Sequence, residues 1–96
     1  MAKGYWVSCY RSIKNQDQLA EYAKLAVPAI QAGGGRFVVR GMADKAYEQG
    51  VKSRTVIVEF DSLAAAHAAH DGPGYQHALK VLGDAVERDF RIVEGV

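Results

Sequence analysis

Hydrophobic and polar residues alternate along four segments of the chain, as they do in β-strands that bury one side. The segments are residues 4–10, 36–40, 54–60 and 89–96. In the first, large side chains occupy both sides: Tyr5, Val7 and Cys9 on one, and Trp6, Ser8 and Tyr10 on the other. Aromatic and β-branched residues are frequent in these segments, and such residues favour strands. The pattern therefore predicts four strands.

The segment between the first two strands has the three- and four-residue spacing of an amphipathic helix. Its apolar stripe consists of Leu19, Tyr22, Ala23, Ala26, Val27 and Ile30. Asn15 or Asp17 is a suitable N-cap, and the three glycines at 33–35 are a suitable end. One helix is therefore predicted between the first and second strands.

A second helical segment follows the third strand. Asp61 or Ser62 can cap it, Gly72-Pro73-Gly74 interrupts its alanine-rich first half, and residues 75–86 resume the helical spacing. The resulting order is β-α-β-β-α-β, with no internal repeat or linker. This order predicts an α+β fold of the ferredoxin-like kind, a single domain over residues 1–96 with an antiparallel sheet and helices on one face.

The helices of such a domain leave the second face of the sheet uncovered. The side expected to face the helices is apolar: Phe37, Val39, Val56, Val58 and Phe60. The opposite side is mixed: Arg36, Val38, Arg40, Thr55, Ile57 and Glu59, with Trp6, Ser8 and Tyr10 as further candidates. A second copy packed sheet against sheet would cover this face. We expect such a homodimer, with a lumen between its sheets; a solvated face is the alternative.

The composition of the chain limits the cellular compartment and the binding partners that we expect. Lys and Arg number 12 against 11 Asp and Glu, which is too balanced for general nucleic-acid binding. No apolar run reaches the roughly 18–20 residues of a membrane span, and the N-terminal residues lack the apolar region of a signal peptide. The one cysteine, Cys9, cannot form a disulfide within the chain. We expect a cytoplasmic protein that binds neither nucleic acid nor membranes.

An ordered series of motifs runs through nearly the whole chain: KGYW at the first strand, GGRFVVRG at 34–41, RTVIVEFDS at 54–62, GPGYQ at 72–76 and DFRIVEGV at the end. In these motifs the chain resembles the family called domain of unknown function 1330. The resemblance implies the dimeric α/β-barrel fold. Similar folds belong to cofactor-independent monooxygenases, haem-degrading enzymes, muconolactone isomerases and dechlorinases. The family has no established reaction, so the resemblance implies architecture rather than chemistry.

Two positions depart from the pattern of that family. Its members usually read Tyr-x-Ser-Pro-Glu-Tyr where this chain has residues 70–75, so His70 replaces an aromatic hydroxyl. They also tend to carry an arginine near the middle of the last helix, where this chain has Leu82. If that arginine holds an anion in the family, this chain holds the anion differently or not at all.

Five residues are candidates for binding or catalysis. Arg40 and Glu59 are both assigned to the lumen, where they either form a stabilising ion pair or contact a ligand. Arg54 could bind an anion or a loop carboxylate, and Tyr75 is either a hydroxyl at the lumen mouth or a core aromatic residue. In the catalytic interpretation Arg40 and Arg54 hold an anionic or carbonyl oxygen, while Glu59 or His70 moves a proton.

Metal and cofactor sites are not expected. His67 and His70 have a spacing that metal sites use, but His77 is an uncertain third ligand beyond the helix break, so surface histidines are the expectation. Glycines 33–35 follow a helix and lack the Lys-Ser/Thr of a phosphate loop. Cys9 is expected to be a buried, inert thiol. Two hypotheses remain: a cofactor-independent enzyme acting on a small polar or aromatic molecule, and a non-catalytic ligand-binding or interaction module.

Overall fold

The four predicted strands form one antiparallel sheet in the computed structural model, which describes residues 2–96. The strands are β1 (Gly4–Ile13), β2 (Arg36–Met42), β3 (Arg54–Phe60) and β4 (Val86–Glu94), in the spatial order β2-β3-β1-β4. The helices are α1 (Gln16–Ala32), α2 (Leu63–Asp71) and α3 (Pro73–Leu82). The predicted ferredoxin-like fold is therefore confirmed, and the break at Gly72 divides the second helical segment into α2 and α3.

The first two helices each begin after a residue that the sequence predicts as an N-cap. The Asn15 side chain accepts a hydrogen bond from the backbone N–H of Gln18 at 3.0 Å, and Ser62 accepts one from the N–H of Ala65 at 3.0 Å. The Gln18 side chain donates to the backbone carbonyls of Val81 and Leu82, at 3.0 and 2.8 Å. This contact ties the start of α1 to the end of α3.

The helices cover the side of β1 that carries Trp6, Ser8 and Tyr10, all of which are buried. These three residues were candidates for the open face, so that assignment was wrong. The open face instead carries Tyr5, Val7 and the exposed Cys9, so Cys9 is not the buried thiol that we expected. Trp6 is the largest side chain of the strand, and burying it together with Tyr10 removes a large apolar surface from water.

A β-bulge in β2 exchanges the two sides of that strand. Phe37 pairs with Val58, but the next pairs are Val39 with Ile57 and Arg40 with Val56, so Val38 is an extra residue. Beyond the bulge, Arg40 lies on the side that faces the helices and Val39 lies on the open face, the reverse of the prediction. A single inserted residue has this effect because side chains alternate with a period of two.

Gly4 begins β1 in direct contact with the N-terminus of α2. A Cβ atom at this position would lie 2.5 Å from the carbonyl oxygen of Ser62 and 2.8 Å from the Cα of Leu63. Because both atoms belong to the backbone, Gly4→Ala is expected to lower the free energy of unfolding by about 1–3 kcal/mol, measured by urea denaturation. Gly41→Ala is the control, since a Cβ there has no atom within 4 Å. Equal stability of the two variants would contradict the prediction.

Candidate functional site

A cavity of about 60 Å³ lies between the helix-facing side of the sheet and helices α1 and α3. Its apolar lining comes from α1 and the sheet: Trp6, Ala23, Ala26, Val27, Ile30, Phe37, Val56, Val58 and Phe90. Its polar lining is Ser8, Tyr10, Tyr22, Arg40, Arg54, Tyr75 and Arg88. Among the described residues, the lining contains three arginines and no acidic side chain. The cavity lies on the opposite side of the sheet from the lumen that the sequence suggested.

Arg88 is the centre of the polar lining. It pairs with Tyr10 across β4 and β1, so its side chain points toward the helices. Its Nη1 atom donates to the hydroxyls of Tyr10 and Tyr22 at 3.3 and 3.4 Å, and Nη2 donates to the Tyr75 hydroxyl at 3.1 Å. The hydroxyls of Tyr22 and Tyr75 are 2.7 Å apart and share a hydrogen bond. We call these four residues the Arg88 cluster.

The guanidinium of Arg88 has no carboxylate partner. Within residues 2–96, no Asp or Glu oxygen lies within the 4.0 Å of an ion pair with it. Burial lowers the pKa of Arg88, whereas the hydrogen bond to the Tyr22 hydroxyl raises it, and the guanidinium stays charged. Burial, with Tyr75 beside it, raises the pKa of the Tyr22 hydroxyl well above its usual range. Arg88 is therefore a partly buried cation and Tyr22 a neutral phenol.

The Arg88 cluster contains more hydrogen-bond donors than acceptors. A guanidinium has five N–H groups and no acceptor, and a hydroxyl that accepts from it keeps its own proton to donate. The bond between Tyr22 and Tyr75 uses one hydroxyl proton. The proton of Tyr10 and one proton of the Tyr22–Tyr75 pair remain available for an acceptor. This composition suits a negatively charged or carbonyl oxygen.

Arg54 and Arg40 add positive charge to the same cavity. The guanidinium carbon of Arg54 lies 5.9 Å from the centre of the Tyr10 ring, and that of Arg88 lies 5.6 Å from it. The Nε atom of Arg54 is buried without a hydrogen-bond partner among the described residues. Arg40 is exposed, with its guanidinium carbon 4.8 Å from the centre of the Phe37 ring. Arg40 therefore marks the side on which the cavity meets solvent.

Three of the five sequence candidates come together in this cavity, namely Arg40, Arg54 and Tyr75. Glu59 does not, because it lies on the open face. There its carboxylate accepts hydrogen bonds from Arg36 Nη2 and from the Tyr5 hydroxyl, each at 2.9 Å. These bonds, that of Arg36 first, lower the pKa of the Glu59 carboxyl. The ion pair between Arg40 and Glu59, one of the two alternatives for these residues, is therefore not formed; Arg36 is the partner of Glu59.

His70 is not part of the cavity lining. Its ring packs against those of Trp6, Tyr75 and Phe90, with centres 5.9, 5.4 and 5.6 Å away. Its Nδ1 atom lies 3.2 Å from a carboxylate oxygen of Asp71.

No group of three His, Cys, Asp or Glu residues within 2–96 is placed to hold a metal ion. In the same part of the chain, no helix has the length and apolar character needed to cross a membrane.

The sequence interpretation missed Ser8, Tyr10 and Tyr22 as cavity residues, and it missed Arg88 altogether. A signal for Arg88 was present. Val86, Phe90 and Ile92 share its side of β4, so a charged residue stands between apolar positions. A charge in such a position needs a polar partner or a ligand.

Comparison with known proteins gives the fold and the family. The RPA0582 protein of unknown function from Rhodopseudomonas palustris is 22% identical, with a TM-score of 0.69 over 97% of this chain and 80% of that one. SnoaB, a cofactor-independent oxygenase from Streptomyces nogalater, is 11% identical, with a TM-score of 0.61 over 97% of this chain and 92% of SnoaB. A dimeric ferredoxin-like protein of unknown function from Thermobifida fusca is 17% identical, with a TM-score of 0.55 over 99% of this chain and 92% of that one.

These identities are low enough that the similarity establishes the fold alone, which is ferredoxin-like. No curated protein sequence matches the chain significantly. The family model described as Domain of unknown function (DUF1330) matches residues 3–96. The motifs identified in the sequence fall within that span, and the chain belongs to this family.

Proposed function

We propose that this protein binds a small organic anion in the cavity, with the anionic oxygen held by the Arg88 cluster. The observation that carries the proposal is the unpaired Arg88 guanidinium, bonded to three tyrosine hydroxyls with no carboxylate in reach. A partly buried cation without a counter-charge is costly, and a bound anion removes much of that cost. Arg40 and Arg54 extend the same site, and Tyr75 belongs to the cluster, so all three take the ligand-binding roles that we assign to them.

The size of the cavity supports a small ligand. A cavity of about 150 Å³ is known to hold benzene, whereas this one has about 60 Å³. The enclosed space therefore suits a carboxylate with a few further atoms. The apolar side chains of Ala26, Val27 and Val56 would contact a short alkyl chain, and any larger body would extend past the exposed Arg40.

A second candidate function is catalysis without a cofactor. Donors aimed at one oxygen stabilise an enolate or a similar anion, and the Arg88 cluster offers such donors. SnoaB, which shares the fold, is a cofactor-independent oxygenase. Catalysis also needs a group that moves a proton. Glu59 and His70 stay the proposed residues for that role, although neither lines the cavity, and for this reason binding is the first proposal.

We further propose that the chain is a cytoplasmic homodimer joined through its open sheet faces. The similar protein from Thermobifida fusca is dimeric, which supports self-association. Val39 and Val93 on this face are 43% and 46% exposed, an apolar surface that a second copy would cover. Cys9 is an exposed free thiol on the same face, and a reducing compartment keeps such a thiol from forming disulfides.

Calorimetric titration with propionate and butyrate tests the anion site. Arg88→Met is expected to weaken binding by about tenfold to a hundredfold, the usual contribution of a charge-assisted hydrogen bond. Arg91→Met is the control, because Arg91 lies on the same strand but on the open face, bonded to Asp89 at 2.9 Å. Circular dichroism confirms that both variants fold. Equal affinity of Arg88→Met and wild type would refute the proposal, as would a failure of wild type to bind any short carboxylic acid.

A further inference from the structure

Ser8 places an unpartnered hydroxyl in the floor of the cavity. The residue is 3% exposed, and within residues 2–96 its Oγ atom has no hydrogen-bond partner. Its cross-strand neighbours are Val56 on β3 and Phe90 on β4, both apolar and both part of the cavity lining. A buried hydroxyl left unpaired costs about 1–3 kcal/mol, so alanine would be more favourable at this position for folding alone.

Ser8 is separate from the Arg88 cluster but close enough to serve the same ligand. It lies two residues before Tyr10 on the same side of β1. The Cα atoms of these two residues are therefore about 7 Å apart along the strand. The Nε atom of Arg54, which is also buried without a partner, lines the same cavity. The cavity thus has a strongly cationic part around Tyr10 and a separate hydroxyl at Ser8, which lies between Val56 and Phe90.

We propose that Ser8 determines specificity by binding a second oxygen of the ligand, so that the ligand class is short hydroxy- or oxo-carboxylic acids. The proposal rests on the anion site proposed above. A serine hydroxyl both donates and accepts, so it can bond either a hydroxyl or a ketone. An acid without this oxygen would leave Ser8 unpaired between Val56 and Phe90, and buried groups left unpaired are a strong source of discrimination.

Pairs of acids with the same carbon skeleton test the assignment: lactate against propionate, and 3-hydroxybutyrate against butyrate, each titrated by calorimetry. In at least one pair, wild type is expected to bind the hydroxy acid about tenfold more tightly, as one buried hydrogen bond would give. In Ser8→Ala the ratio should fall close to one while the affinity for the unsubstituted acid is kept. Pyruvate and acetoacetate extend the test to the ketones.

Ser12→Ala is the matched control, because Ser12 lies on the same strand with its hydroxyl donated to Glu87 at 2.9 Å, away from the cavity. Its selectivity should equal that of wild type. The melting temperature adds a readout independent of ligand: Ser8→Ala should melt at or above wild type, since it removes an unpaired buried group.

The outcomes separate the two proposals. If the unsubstituted acids bind through Arg88 but neither the hydroxy nor the oxo acids bind more tightly, the Ser8 assignment is wrong and the anion site stands. Selectivity that survives in Ser8→Ala would also overturn the assignment. If none of the acids binds in an Arg88-dependent way, the anion site itself fails.

Discussion

Replacing Trp6 by alanine is expected to lower the free energy of unfolding by about 3–5 kcal/mol, the range for truncation of a buried aromatic residue. Trp6 is 2% exposed, and its ring centre lies 5.0 Å from that of Phe60 and 4.7 Å from that of Tyr75. Its indole N–H donates to the backbone carbonyl of Ala66 in α2 at 2.9 Å. The residue therefore joins the sheet to both α2 and α3, and its removal leaves a void in that layer.

Urea denaturation followed by circular dichroism measures this loss, because Trp6 is the only tryptophan and the tryptophan fluorescence signal is lost with it. Trp6→Phe separates the two contributions: it keeps most of the ring packing but removes the hydrogen bond to Ala66, for an expected loss of about 1–2 kcal/mol. Tyr47→Ala is the surface control, since Tyr47 is 71% exposed and its truncation should change stability by under about 0.5 kcal/mol. A Trp6→Ala loss as small as that of the control would show that the layer tolerates the void.

Element order and helix starts could be predicted because each depends on local sequence. Strand alternation needs only the pattern of consecutive residues, and Asn15 and Ser62 form their capping bonds three residues away. The break at Gly72 is also local, because Pro73 lacks a backbone N–H and suits the first position of a new helix. These features involve no distant partner.

It was harder to predict which face of the sheet each site residue occupies, because this depends on contacts between strands. The bulge at Val38 moves Arg40 from the open face to the cavity, and the five residues predicted for this strand do not reveal where the extra residue lies. In β1 both sides carry large side chains, so alternation alone could not decide which side the helices cover. Glu59 was placed correctly on the open face, but its partner Arg36 comes from a pairing register that the sequence does not specify.

The Arg88 cluster shows the same limit more strongly. Its members come from β1, α1, α3 and β4, and 66 residues separate Tyr22 from Arg88 in the chain. The spacing of residues in the sequence does not predict that such distant residues are in contact, although the chemical character of each side chain is known from the sequence. Tyr75 could be proposed from its position after the helix break, whereas Tyr22 reads as one more apolar member of the α1 stripe. Only the packing of α1 on α3 turns these two tyrosines toward one another.

Replacing Ile57 by glutamate is expected to convert the proposed homodimer to a monomer. Ile57 lies on the open face, in the central strand pair, directly opposite Val7 of β1. In a dimer with twofold symmetry the substitution occurs twice, and each buried, unpaired carboxylate costs several kcal/mol. The neighbouring charges need no help from a second copy, because Glu59 already bonds Arg36 and Tyr5 within its own chain. The apolar Val7–Ile57 pair is therefore where a new charge should weaken association most.

Size-exclusion chromatography with light scattering at micromolar concentration measures the change. Ala64→Glu is the control, since Ala64 is exposed on α2, on the helix side of the molecule, and should leave the mass unchanged. The anion cavity lies on the opposite side of the sheet from Ile57, so the monomeric variant should keep its circular dichroism spectrum and its affinity for butyrate. A monomeric wild type would refute the homodimer. A dimer that persists in Ile57→Glu would place the interface elsewhere, and a monomer that no longer binds butyrate would mean that dimerisation holds the cavity in its binding shape.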